Sequence, residues 1–212
     1  DNFMIIATQN AALMVTATAM AVLMMSGGVD LSVGSTMAVS GVSAALAFQS
    51  LGPVVGIMLA LLVGLAVGSV NGLLIGVLGL SPLVVTLGML AILRATAITL
   101  APTSIYGFPA TIQSLGSGRL LGVSYLVWIA AGVVLVAMFL MNRFPIGRHI
   151  IAVGVNARAA YLSGVAVKGV SFGLYAGVGL AAGLSGLLTV ARLDSAPSAT
   201  LGLGFEISVL TA

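Results

Sequence analysis

PVVGIMLALLVGLAVGSVNGLLIGVL, residues 53–78, contains no charged side chain, and Ser69 and Asn71 are its only polar ones. A helix needs about 20 apolar residues to cross the hydrocarbon core of a bilayer, so this stretch reads as a membrane span. Gly64, Gly68, Gly72 and Gly76 recur at every fourth position. That spacing places them on one helix face and opens a groove that a neighbouring helix can enter closely. Gly173 and Gly177, then Gly179 and Gly183, repeat the device further along.

Outward from this stretch, further apolar runs cover 3–25, 32–49, 82–101, 123–142 and 169–190, making six spans, and a seventh is expected to start near Ile207. Turn residues punctuate them: Gly27 and Gly28, Gly52 with Pro53, and the interval from Gly79 to Pro82. Composition excludes a soluble domain, because 60% of residues are hydrophobic, 5% are charged and the mean hydropathy is +1.28, whereas soluble domains carry about 25% charge. The expected fold is an all-α integral membrane protein, a polytopic helical bundle forming a single transmembrane domain over 1–212. Asp1 is not a Met, and Ala212 falls just as an apolar stretch begins, so both ends read as cuts in a longer protein. No basic flank precedes the first run, which is therefore a span and not a signal peptide. The absence of cysteine removes disulfides, thiolate metal sites and thiol nucleophiles.

Orientation follows from positive charge. Arg143, Arg148, Arg158 and Lys168, with His149, all fall between the fifth and sixth spans, so that interval, 143–168, is expected in the cytoplasm. Counting back places the 102–122 loop outside, 80–82 inside, Gly52-Pro53 outside and 27–30 inside. Arg119 stands as an outward exception.

Few residues offer chemistry. Asp30 and Ser32 follow the helix-breaking glycines and can cap the next helix; an acid at a broken helix near the membrane boundary also suits an ion or proton path. Arg94 lies in the middle of the fourth span, where an unpaired guanidinium costs about 3 kcal/mol or more. It either lines a polar path or clamps the carbonyls of a broken helix. His149 stands alone among arginines, so it builds no metal site. Gly183-Leu184-Ser185-Gly186 matches the short pattern of intramembrane serine proteases, but no span supplies the histidine that would activate Ser185. No catalytic residue is assigned. The phosphate-cradling G-x-x-x-x-G-K-[ST] loop is missing, so any nucleotide is held by another polypeptide.

GGVDLSVGSTMAVSG at 27–41 resembles the GGIDLSVG signature of the permease family that includes ribose, xylose, arabinose and autoinducer importers. NGLLIGVLGLSPLVVTLGMLAILR at 71–94, YGFPATIQSLGSG at 106–118 and GRHIIAVGVNARAAYLSGVAVKGVSFGLYAGVGLAAGLSGLL at 147–188 resemble later blocks of that family in the same order. The resemblance implies a ten-span permease of the bacterial inner membrane, working as a homo- or heterodimer among membrane lipids. It further implies a periplasmic solute-binding protein that delivers a monosaccharide or similar small polar solute, and a cytoplasmic ATPase subunit that carries ATP and Mg. Cofactors in this chain and nucleic-acid partners are not implied. By the same resemblance, Gly154, Asn156, Ala159, Ala160, Ser163 and Gly164 match the segment that couples permease to ATPase, while Asp30, Ser32 and Arg94 remain assigned to the path or to structure. The rival from another class is an ion-coupled secondary transporter or channel, which would show more intramembrane acids.

Overall fold

A computed structural model describes residues 2–212; Asp1 lies outside the described residues. Its long helices are α1 (Asn2–Met25), α2 (Val33–Ser50), α3 (Pro53–Asn71), α4 (Pro82–Leu100), α6 (Tyr125–Arg143), α7 (Pro145–Leu162) and α8 (Val167–Leu193). Two short helices, α5 (Ala110–Ser117) and α9 (Phe205–Thr211), complete the helical set, and α3 continues as a π-helical stretch over Gly72–Val77. Six of the seven long helices, with the extension of α3 included, match the spans read from the sequence to within about three residues at each end, whereas α7 lies in the interval 143–168 that was read as a loop. Proline at the first position starts α3, α4 and α7, where its fixed φ suits a helix and its missing N–H costs nothing.

Among the described residues, five helices are long and apolar enough to cross a membrane: α1, Pro53–Val77, α4, α6 and α8. α2, expected as a sixth span, falls outside that set. Ser35, Thr36, Ser40 and Ser43 make it more polar, and it is buried along nearly its whole length among α3, α4 and α8. A helix surrounded by protein can carry hydroxyls that lipid would penalise. The start expected near Ile207 corresponds to α9, which begins two residues earlier.

The centre of the bundle is an antiparallel seam between α3 and α8. A Cβ at Gly64 would lie 2.8 Å from the Gly183 Cα, and one at Gly68 would lie 2.9 Å from the Gly179 Cα. Further down, Gly72 and Gly76 meet Phe172. The four-residue glycine period therefore produces backbone-to-backbone contact. Gly173 and Gly177 behave differently, since nothing approaches their Cβ positions within 4 Å; only half of the repeat on α8 belongs to the seam.

The two ends of the bundle differ in chemistry. One end carries α7 with Arg143, Arg148, Arg158 and Lys168. The other carries α5 and two small antiparallel ladders that the sequence did not announce, β1 (Ile105–Tyr106) with β4 (Ser195–Ala196), and β2 (Arg119–Leu120) with β3 (Val123–Ser124). Arg192, in the last turn of α8, joins Arg119 at this second end. The charge asymmetry is thus four cations against two, the same sign of bias on which the expected orientation rests.

Candidate functional site

The GGVDLS stretch folds into a break inside the bundle. Gly27 takes φ +82°, a left-handed conformation that favours glycine, and α1 ends before it. The chain then turns into α2 with Asp30 2% exposed. Asp30 Oδ1 accepts from the Ser32 amide at 2.8 Å and from Ser32 Oγ at 2.6 Å, while Oδ2 accepts from Asn71 Nδ2 at 3.1 Å. Asn71 Nδ2 also donates to Ser32 Oγ at 3.0 Å, and Tyr175 Oη donates to the Val29 carbonyl at 3.3 Å. Asp30 rather than Ser32 engages the first free amide of α2; the Ser32 side chain makes no capping bond.

This network ties the α1–α2 break to the seam through one residue on each seam helix. Asn71 lies six residues before the end of the α3 extension, or about 9 Å at the usual helical rise. The break therefore dips into the bundle. Sequence reasoning found Asp30 and Ser32 but missed Asn71 and Tyr175. The available signal was Asn71 itself, the sole amide in a span whose one other polar residue is Ser69, since a polar side chain at membrane depth needs a partner.

Arg94 stands apart from that cluster. Its Nη1 donates to the Leu201 carbonyl at 2.7 Å, reaching from the middle of α4 to the non-helical stretch between β4 and α9. Ser185, singled out by the protease-like pattern, donates to the Ala12 carbonyl and shares a 2.7 Å hydrogen bond with Thr16 Oγ1. It pins α8 to α1. His149 is exposed on α7.

The segment 154–164 is the second half of α7 and the turn after it. Helical geometry breaks at Asn156, with φ −160° and ψ 97°, and Asn156 Oδ1 accepts from the Ala159 amide at 3.0 Å. The asparagine thus restarts the helix it interrupts, satisfying one of the free amides of the new first turn. Gly164, at φ +87°, closes that helix, with the Val165 amide donating to the Ala160 carbonyl. Gly154 lies against the end of α1, where a Cβ would be 3.0 Å from the Met25 carbonyl carbon. Ala160 is 5% exposed and packs with Ile150, Val153 and Val170; a large side chain there would overpack the α7 contact with the bundle. The surface is made instead by Val155, Tyr161 and Leu162, at 83%, 70% and 78% exposure, beside Arg158, Ala159 and Ser163. Three exposed apolar residues on a basic helix are what the sequence reading passed over, because it followed small residues.

Comparison with known proteins places these features in context. Residues 2–212 match the family described as branched-chain amino acid transport system / permease component. The chain is 36% identical to the D-allose transport system permease protein of Escherichia coli strain K12, over 84% of this chain and 56% of the relative. It is 33% identical to the ribose import permease protein of the same strain, over 100% of this chain and 68% of the relative. The autoinducer 2 import system permease protein of Yersinia pestis is 34% identical over 93% of this chain and 62% of its own length. The chain therefore spans 56% to 68% of the length of these relatives. No solved structure matches.

Proposed function

The chain belongs to the branched-chain amino acid transport system / permease component family, and on that footing we propose that it is the membrane-spanning permease part of an ATP-driven importer. Its solute is a monosaccharide or similar small polar molecule, carried across the bacterial inner membrane by alternating access. The observation that supports this most is the match over 2–212, taken with relatives whose names specify D-allose, ribose and autoinducer 2. A cytoplasmic ATPase, a periplasmic solute-binding protein and a second permease copy are the expected partners. ATP and Mg would belong to the ATPase.

Within that reading, the 154–164 segment docks on the ATPase. Val155, Tyr161 and Leu162 supply apolar contact area, Arg158 supplies charge, and Asn156, Ala159, Ser163 and Gly164 shape the helix and its turn. Ala160 and Gly154 face the other way and hold the element to the bundle. Force applied to α7 passes through Gly154 to the end of α1, and the α1–α2 break follows at once. The Asp30–Asn71 bond then carries it to α3. This chain of contacts gives a partner's motion a short route to the centre of the bundle.

The test is uptake by the full-length permease reconstituted with its own ATPase and binding protein. Ribose and allose are offered with ATP, without ATP, and with an imposed sodium or proton gradient alone. Uptake that requires ATP and the binding protein supports the importer. Uptake driven by an ion gradient without ATP overturns it in favour of a secondary transporter. Tyr161→Ala is expected to lower binding-protein-stimulated ATP hydrolysis while leaving permease levels unchanged.

A further inference from the structure

After β4 the chain does not stay at the outer surface. It re-enters the bundle over 197–204 as a series of turns and only then forms α9. Ser198 Oγ donates to the Ala101 carbonyl at the outer end of α4. Leu201 packs against Gly41, and Gly202 meets Gly34 near the start of α2. Gly202, at φ +68°, could not be another residue without strain, and a Cβ there would strike the Gly34 backbone. Arg94, which holds the Leu201 carbonyl, lies seven residues before Ala101, or about 10 Å below the outer end of α4. The segment thus lies at membrane depth.

Its inward face is satisfied and its outward face is not. Leu201 and Ser198 are buried, whereas Ala199, Thr200, Leu203 and Gly204 are exposed. The amides of Gly202 and Gly204 and the carbonyls of Ala199 and Leu203 find no partner among the described residues. Irregular backbone with free polar groups is tolerated at membrane depth only against protein or water, never against lipid. Beside it, Glu206 Oε2 is shut in against Gly34 with no hydrogen-bond donor, although a buried carboxylate oxygen requires one.

We propose that 199–204 and Glu206 line a water-filled stretch of the solute path and form a weak station for a polyhydroxylated, uncharged solute. Free amides and carbonyls of the segment, the Thr200 hydroxyl and the accessible oxygen of the half-buried Glu206 carboxylate exchange hydrogen bonds with solute hydroxyls, and Leu203 meets a C–H face. The station rests on the importer reading for its solute. Its wetness is argued from the unpaired backbone groups and does not depend on the identity of the solute.

The experiment uses the full-length permease with its partners and a small negatively charged methanethiosulfonate as the probe. Cysteine is introduced singly as Thr200→Cys, Leu203→Cys, Ala110→Cys at the exposed outer helix, and Leu135→Cys on the apolar face of α6. Only the hydrated thiolate reacts, so Thr200→Cys and Leu203→Cys are expected to label at least about a hundredfold faster than Leu135→Cys, approaching Ala110→Cys. Labelling no faster than Leu135→Cys overturns the proposal, because a lipid or a second protein surface then covers this face. Glu206→Ala is expected to lower solute uptake about tenfold, the loss of one charge-assisted hydrogen bond, with stimulated ATP hydrolysis retained and uptake partly restored in Glu206→Gln. Unchanged uptake in Glu206→Ala removes the hydroxyl-binding station. If the wild-type assembly moves no sugar, the importer reading fails, and the labelling rates still decide whether the face is wet.

Discussion

The α3–α8 seam and the 197–204 segment both run through the bundle interior, and they solve the same problem in opposite ways. In the seam every backbone group is used within its own helix, so two backbones can touch with glycine alone between them. In 197–204 the backbone bonds are local turns plus one guanidinium from α4, and polar groups remain to be satisfied. A membrane protein can make its rigid core from the first kind of structure. A solute needs the second kind, because a fully satisfied helix pair has nothing to offer a hydroxyl.

The contrast is broken most directly in the seam. Gly68→Leu puts a branched side chain where even a Cβ would lie 2.9 Å from the Gly179 Cα and 3.0 Å from the Ala176 Cα. Overpacking of a core that can adjust costs about 1–3 kcal/mol, and here backbone on the facing helix would have to move. The full-length protein is expected to fall to about a tenth or less of its normal level in the membrane, by the tenfold-per-1.4-kcal/mol relation. Gly177→Leu, on the facing helix α8 but with open space around it, should accumulate normally. Equal levels for the two variants would show that the seam is not close-packed.

Asp30→Ala comes next. It strands the Ser32 amide and the Ser32 hydroxyl proton and leaves Asn71 Nδ2 with Ser32 Oγ as its one acceptor, all buried, and each unpaired donor costs about 1–3 kcal/mol. The apparent Tm of the purified permease should drop by several degrees. Asp30→Asn should lie between, because it keeps an acceptor for Ser32 but turns a second amide toward Asn71. A Tm unchanged in Asp30→Ala would mean that the break is held by α1 and α2 packing alone.

Arg94→Leu acts on the irregular side. Losing the bond to the Leu201 carbonyl removes a charged hydrogen bond of about 1.5–3 kcal/mol but spares the seam. Hydrogen exchange is expected to quicken in 197–204 and not in α3 or α8, while Arg119→Leu, on an exposed two-residue strand, changes neither. Faster exchange across the whole bundle in Arg94→Leu would mean that the two regions are not energetically separable.

The seam was legible in the sequence because glycine at a four-residue period has one geometric meaning on a helix. Composition and the cation-rich interval likewise announced a polytopic all-α bundle. What escaped was whatever depends on a partner far along the chain. Asn71 has no meaning until Asp30 is beside it, 41 residues away, and the re-entry of 197–204 follows from the β1–β4 ladder and Arg94, which no local pattern encodes. α2 is a related case, since it has the length of a span while its hydroxyls are tolerable because protein surrounds it. On α7 the small residues stood out, yet the exposed Tyr161 and Leu162 could be told from buried ones only once Asn156 had set the phase of the second half-helix.

That phase is open to the mildest test. Asn156 departs from helical geometry and its Oδ1 takes the Ala159 amide, so it acts as an N-cap, and replacing such a cap with alanine costs about 0.5–2 kcal/mol. The helix it starts is barely two turns long and ends at Gly164, too short to persist in water without its cap and its packing. In Asn156→Ala the 157–162 turn should fray or continue straight from the first half of α7. Either change rotates Tyr161 and Leu162 away from their present surface and loosens Ala160 from Ile150 and Val153. Membrane levels and Tm of the permease should hardly move. Protease cleavage within 157–162 and hydrogen exchange there should rise, and binding-protein-stimulated ATP hydrolysis should fall. Asn156→Asp, which keeps the acceptor, should restore all three. Equal behaviour of the alanine and aspartate variants would show that the asparagine is tolerated at the kink and does not cap it.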